Sequence, residues 1–403
     1  MAINIQNIID QITTKAAAAD STDTADYLLT LSKATLAMNN ATGVIEYRAK
    51  SELPTVDSSI LGNFAYIAAR ADLDSVYGDS YAGFYYAVRI GSADSGWDRI
   101  RTGADSDAEN AAPAAAPVPN AQGSISGYVS GGLPYDNTIQ KFPFTVDANS
   151  TDVGDLTTTY RIQQAGSSSD VSGYNSGGFL PGNTNIIDKF PFSTDANATD
   201  VGDITSARRL VAGQSSEASG YTSGGGPPYV NIIDKFPFAV DANSTDVGNL
   251  LTVVGQIAGQ SSTDNGYVSG GLTPSISNVI QKFPFSADAN STDVGDLTVS
   301  RYGPAGTNSS DNGYTSGGLS PAYTNIIDKF PFATDANATD VGDMTVSARG
   351  PAGNSSTDNG YNSGGNAPPY TNVIQKFPFA TDANATDVGD LLLAKGYQAG
   401  QQV

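Results

Sequence analysis

From about residue 120 to the C-terminus the apolar residues fall into short runs separated by clusters of Gly, Pro, Asn and Asp, and the runs recur. A Gly-Tyr-x-Ser-Gly-Gly motif begins at Gly127, Gly173, Gly220, Gly266, Gly313 and Gly360. Lys-Phe-Pro-Phe begins at Lys141, Lys189, Lys235, Lys282, Lys329 and Lys376. Asp-Ala-Asn-x-Thr-Asp-Val-Gly-Asp/Asn begins at Asp147, Asp195, Asp241, Asp288, Asp335 and Asp382. Successive starts lie 46 to 48 residues apart (127 to 173 and 141 to 189, for example). Three interleaved motifs in six copies define a repeat whose units stack to bury a common core.

Within one copy the pattern predicts four short strands. Pro304 to Ser310 is rich in small residues, as a crowded innermost strand beside a propeller axis requires. Asp311-Asn312-Gly313 supplies a tight hairpin turn, because Asn and Gly tolerate positive φ. Tyr314 to Gly318 is the second strand, with paired glycines that allow close backbone approach. Asn325 to Phe332 is the third, with Phe330 and Phe332 on one face and Pro331 expected at a strand end or unpaired position. Asp335 to Asp343 reads as a turn, and residues around Val341 to Ser347 as the outer strand. The fold class expected is mainly β, a six-bladed β-propeller of four-stranded blades over 123–403. The chain ends on Lys395-Gly396-Tyr397-Gln398-Ala399-Gly400-Gln401, an inner-strand pattern with no Gly-Tyr-x-Ser-Gly-Gly after it. That last strand is expected to complete the first blade, so that no sheet edge stays open.

The first hundred residues carry a different pattern. Residues 3–16 and about 24–39 read as helices, the second capped by Asp20 to Asp23 ahead of Tyr27, Leu28, Leu29 and Leu31. Phe64 to Ile67, Ser75 to Tyr77, Gly83 to Ile90 and Trp97 to Ile100 read as short strands. The expected layout is a helical segment over 1–50, a small β-rich module over 51–103, an Ala/Pro/Asp-rich linker over 104–122, and the ring. The part before the ring is thus a small α+β domain.

Composition narrows the functional classes. Forty-four Gly and twenty Pro suit short strands and turns. No apolar run reaches the length of a membrane span, and Met1-Ala2-Ile3-Asn4-Ile5 lacks the basic start of a signal peptide. The chain has no Cys and no His, which removes thiolate chemistry, the commonest general base and the commonest transition-metal ligand. An enzyme is not expected. A net charge of −21 disfavours nucleic acid and anionic lipid as partners and serves solubility first.

Three features are candidates for chemistry. The Asp-Ala-Asn-x-Thr-Asp-Val-Gly-Asp segment has the alternating oxygens of a calcium loop, but no Gly at its sixth position and no Glu at a twelfth. It is read first as a structural turn, with no cofactor expected and calcium as the alternative. The lysine of Lys-Phe-Pro-Phe is expected to pair with an Asp, either Asp188, Asp234 or Asp328 of its own repeat or one in the next turn. The loop after the paired glycines varies while the strands hold constant. Its tyrosines, Tyr135, Tyr229, Tyr323 and Tyr370, are the candidate binding residues. They would stack on sugars or pack on a partner, or else stiffen a blade-to-blade contact.

A four-stranded blade with paired glycines ending its second strand resembles the kelch-type propeller, whose period fits better than that of WD repeats. Kelch blades usually carry an outer-strand Trp. Here the only Trp, Trp97, lies outside the ring, so that packing place falls to Leu156, Ile204, Leu250, Leu297, Met344 and Leu391. The Gly83-Phe84-Tyr85-Tyr86 strand, the Gly96-Trp97-Asp98-Arg99-Ile100 ending and the repeat itself are similar to pieces of tail and appendage proteins of marine and cyanobacterial phages. That resemblance implies a virion structural protein located on tail, neck or capsid. Residues 1–103 would dock onto other virion proteins in a homo-oligomer, and the ring would meet a host-surface glycan or protein. A purely structural collar, tail or decoration component is the alternative. A polysaccharide-degrading enzyme ranks last. Copper oxidases with kelch-type propellers are excluded by the missing His and Cys.

Overall fold

A computed structural model describes residues 122–403 throughout and, before them, the backbone of four strands. Those four, Ile45–Tyr47, Phe64–Ile67, Gly83–Ile90 and Asp94–Arg99, form one sheet in chain order. The expected helices over 3–16 and 24–39, the Ser75–Tyr77 strand and most of the 104–122 linker lie outside the described residues. The chain divides into two compact units, Met1–Ala116 and Pro117–Val403.

The second unit is a six-bladed propeller of four-stranded antiparallel blades. Blade 5 shows the plan: inner strand Ala305–Asn308, second strand Asn312–Ser316, third strand Ile326–Pro331 and outer strand Thr339–Asp343. Pro331 is the last residue of its strand, as expected of a residue that cannot donate. The outer strand differs from expectation. It is Thr339–Asp343, inside the acidic motif, rather than residues 341–347. The β-branched Thr339 and Val341 keep the backbone extended, and Thr339 pairs with Lys329. Beyond Asp343 the chain leaves the sheet: Met344 turns inward to the core, and Thr345 bonds Gln375 of the next blade.

Closure follows the sequence reading. Ala399–Gln402 pairs antiparallel with Ser126–Gly132, Ala399 opposite Ser130 and Gln402 opposite Gly127. Blade 1 is therefore built from both ends of the ring, its third and outer strands being Asp136–Pro143 and Thr151–Asp155.

Two devices join neighbouring blades. At the axis, each inner strand presents a glycine to the next: a Cβ on Gly213 would lie 2.0 Å from the Gly166 carbonyl oxygen, and one on Gly306 2.2 Å from that of Gly259. The same holds around to Gly400, which lies against the Gly353 carbonyl. No side chain fits there, which explains the invariant Gly of every inner strand. Farther out, the core is divided into clusters lying between blades. Tyr267, Ile280 and Leu297 of blade 4 pack with Phe330, Phe332 and Ala338 of blade 5. Tyr267 stacks on Phe332 at 4.7 Å and lies tilted to Phe330 at 5.6 Å. Aromatic pairs of this kind contribute about 0.5–1.5 kcal/mol beyond their buried area. Leu156, Ile204, Leu250, Leu297, Met344 and Leu391 all fill these clusters, in the places assigned to them.

This burial has a consequence at high pH. Burial pushes the phenols of Tyr128, Tyr267, Tyr314 and Tyr361 up to about 12, and those of Tyr174 and Tyr221 upward as well. The folded ring holds these protons more tightly than the unfolded chain, whose tyrosines titrate near 10. Their stabilising effect is complete below about pH 10 and disappears as the pH rises toward 12. An absorbance titration should show exposed tyrosines ionising first and the buried set only with unfolding near pH 12. All twenty tyrosines ionising together near pH 10 in a folded protein would contradict this packing.

Candidate functional site

The alternation of strand directions gives the ring two unlike faces. Inner strands start at one end of the central channel, called here the mouth. The loops between second and third strands, and those leading from one blade to the next, lie at the mouth. The turns between inner and second strands, and between third and outer strands, lie at the other end.

The other end holds the acidic motif, and its polar atoms have structural work. Asn197 Oδ1 accepts the Asp155 backbone N–H across the blade boundary at 3.0 Å, while the Ala198 N–H donates to the Asp155 carbonyl at 2.8 Å. Asp152 Oδ1 accepts from Gly154 N–H within the strand. Asp195 takes Lys141 of the preceding blade. All six lysines of Lys-Phe-Pro-Phe reach into the next blade in this way, ending with Lys376 on Asp147 across the closure. The pairs are exposed, and each contributes about 0–1 kcal/mol.

Asp188, Asp234 and Asp328, expected as alternative lysine partners, have a different role. They are fully buried and paired with Arg161, Arg208 and Arg301 at 2.8–2.9 Å. Burial lowers the pKa of the Arg161 and Arg301 guanidiniums, against the opposing pull of their aspartates. Where the third strand carries Gln instead, the arginine position is neutral: Gln281 goes with Val254, and Gln375 with Ala348. Blade 1 has Gln140 with Lys395, which finds Asp136 at 2.8 Å.

At the mouth, one residue per blade takes a left-handed backbone: Gln163, Leu210, Gln256, Gly303, Gly350 and Tyr397, with φ between 55° and 65°. Each donates its N–H to the carbonyl of the one before, Leu210 to Gln163 and so on to Tyr397 on Gly350 and Gln163 on Tyr397, at 2.6–3.0 Å. A closed circle of hydrogen bonds thus rims the channel. Non-glycine residues cost about 1–3 kcal/mol each in such a conformation, and four of these six places bear one.

Inside the rim lies a cup of about 140 Å³. Leu210, Val211, Ile257, Pro304 and Pro351 give it an apolar lining, and Gln163, Gln164, Gln256 and Gln398 a polar one. Gln164 and Gln398 are only 5% and 6% exposed. Each donates its amide to a carbonyl, of Ser130 and Ser363 respectively, and neither Oε1 has a hydrogen-bond donor.

All four candidate tyrosines stand on mouth loops. Tyr135 is 65% exposed and packs on Tyr160 at 4.6 Å. The Tyr323 hydroxyl donates to Asn366 Oδ1 at 3.4 Å. Tyr370 lies half-buried against Gly396, and Tyr229 against Gly255, so these two also brace segments between blades. Burial raises the Tyr370 phenol, with Tyr397, Tyr323 and Tyr135 adding to the rise and Arg349 opposing it. Tyr135, Tyr323 and Tyr370 therefore share one sector, over blades 5, 6 and 1, and Tyr229 lies apart. Three residues of that sector were not singled out in the sequence. The Arg349 guanidinium lies 5.7 Å from the ring centres of both Tyr302 and Tyr397, and bonds the Tyr302 hydroxyl at 3.3 Å. On the other side of the mouth Arg209 stacks on Phe179 at 4.4 Å.

No known family model matches the chain, and no curated protein is similar to it.

Proposed function

We propose that this protein is a recognition component of a phage virion, a tail fibre or tail or neck appendage. Its N-terminal region docks onto other virion proteins in a homo-oligomer, and its propeller presents the mouth face to the host surface. The observation that carries the reading is the division of labour within the repeat. Every invariant motif is used to hold blade to blade, whereas the loops that vary all meet at one face and bring four tyrosines there, Tyr135 exposed and Tyr229, Tyr323 and Tyr370 half-buried. Variable loops on a rigid scaffold are where recognition resides, and tyrosine combines an apolar face with a polar tip. The reading is of binding and not of catalysis.

A second reading, a structural collar or decoration, draws on the other end of the ring. Ile125, Val146, Val171 and Val240 are all at least 60% exposed on its turns in blades 1 to 3, apolar side chains suited to a neighbouring virion protein.

Labelled full-length protein is expected to bind saturably to cells that the parent phage infects, in competition with whole phage. Tyr135→Ala combined with Tyr323→Ala should weaken that binding at least tenfold with the melting temperature within about 2 °C, since neither residue is in the core. Absence of cell binding by folded wild-type protein would favour the structural reading.

A further inference from the structure

We infer that the mouth carries a binding site for an acidic sugar residue, a uronate or comparable carboxylate-bearing monosaccharide, with Arg349 taking the carboxylate. The inference rests on the recognition reading and names its ligand class.

Charge distribution is the first support. Among the described residues, the six lysines of Lys-Phe-Pro-Phe, together with Arg161, Arg208, Arg301 and Lys395, are all paired with aspartates. Arg209 and Arg349 complete the set of cations from residue 122 onward, and neither has a carboxylate partner. Both are mouth residues. The mouth loops (133–138, 179–185, 226–231, 272–278, 319–325 and 366–372) and the segments between blades contain one acidic side chain, Asp136. That one is held by Lys395. In a chain of net charge −21, the mouth loops thus carry free positive charge and no free negative charge of their own, the nearest carboxylates being those that end the outer strands, Asp155, Asp203, Asp296, Asp343 and Asp390.

Geometry is the second support. A half-buried guanidinium between two tyrosine faces is oriented before any ligand arrives, and its planar fork matches a carboxylate. Tyr397 joins Arg349 to the cup, because it both lines the cup and flanks the guanidinium. The cup supplies what a sugar ring needs beyond its charge. The half-buried side chains of Gln163 and Gln256 offer amides to hydroxyls at the cup, and Leu210, Val211, Ile257, Pro304 and Pro351 cover C–H faces. An acidic peptide would offer the carboxylate but no C–H ring face for the apolar lining of the cup.

Isothermal titration calorimetry with full-length protein tests this directly. Tri-galacturonate is the probe, with its methyl ester and a tri-glutamate peptide as comparisons. Wild-type protein should bind tri-galacturonate, and the methyl ester and peptide at least tenfold more weakly. R349Q should lose tenfold or more without a change in melting temperature, and R349K should lose an intermediate amount, since it keeps the charge but not the fork. Failure of wild-type protein to bind tri-galacturonate, equal binding of ester or peptide, or full affinity in R349Q would each overturn the inference. Cell binding by wild-type protein in that event would leave the recognition reading standing. Loss of both would end the two together.

Discussion

Truncating the chain after Gln398 is expected to abolish cooperative folding of the ring. The five residues removed are the inner strand of blade 1 and Val403. Their loss uncovers the full length of Ser126–Gly132 as an open edge. It also breaks the glycine circle at Gly400, which touches both neighbours. Gln401 is fully buried and donates to the Tyr174 carbonyl and to Asn175 of blade 2, while its own carbonyl accepts from Asn354 of blade 6. Each hydrogen bond contributes only about 0.5–1.5 kcal/mol net. Here many are lost at once, and the buried partners they leave behind cost about 1–3 kcal/mol apiece. The sum is comparable to the whole stability of a typical domain, about 5–15 kcal/mol. Calorimetric or circular-dichroism melting should show no sharp transition for the truncated ring. A Gly400→Val variant, with its side chain driven into the Gly353 carbonyl, should lower the midpoint strongly in the full-length chain. An unchanged midpoint in the truncated protein would mean that the last strand does not close the ring.

Repeat, blade plan and closure were legible because each is written in backbone-dictating residues. Gly-Gly, Asn-Gly and alternating aromatics constrain local geometry whatever surrounds them, and the orphan inner strand at the C-terminus had one possible partner. The outer strand was misplaced for the opposite reason. Its Asp and Gly residues have low strand propensity, and Thr339–Asp343 is held extended by its neighbours. Asn337, which reads as a turn former in the sequence, accepts the Asp296 N–H of the preceding blade through its side-chain oxygen, a contact no single repeat reveals. At the mouth, the tyrosines were visible as departures from the repeat. Arg349 was not, because it stands beside an invariant strand rather than in the variable loop. A signal did exist: Arg209 and Arg349 are cations at a place where the other four copies have Ile162, Gly255, Tyr302 and Gly396.

The buried ion pairs give the sharpest test of how the repeats balance charge. Arg301 and Asp328 are both fully buried and 2.8 Å apart, and Asp328 also accepts from Thr298 N–H and hydroxyl. Replacing Arg301 by Val leaves a carboxylate with no cation, and replacing Asp328 by Gln leaves a buried guanidinium with no anion. Either should cost about 3–5 kcal/mol, because the partner's desolvation is no longer offset. The double variant should be far milder, within about 2 kcal/mol of wild type, because the molecule already contains it. Blade 4 uses Val254 with Gln281, whose Oε1 accepts the Leu251 N–H at 2.8 Å. Blade 6 uses Ala348 with Gln375, whose Oε1 accepts from Thr345, the counterpart of Thr298. Urea denaturation of the four proteins gives the coupling energy of the pair from a double-mutant cycle. A large coupling is expected, the double variant losing far less than the two single variants together. Additive losses in the double variant would show that the neutral pair depends on other residues of its own blade, and that charge balance is not what links these two positions.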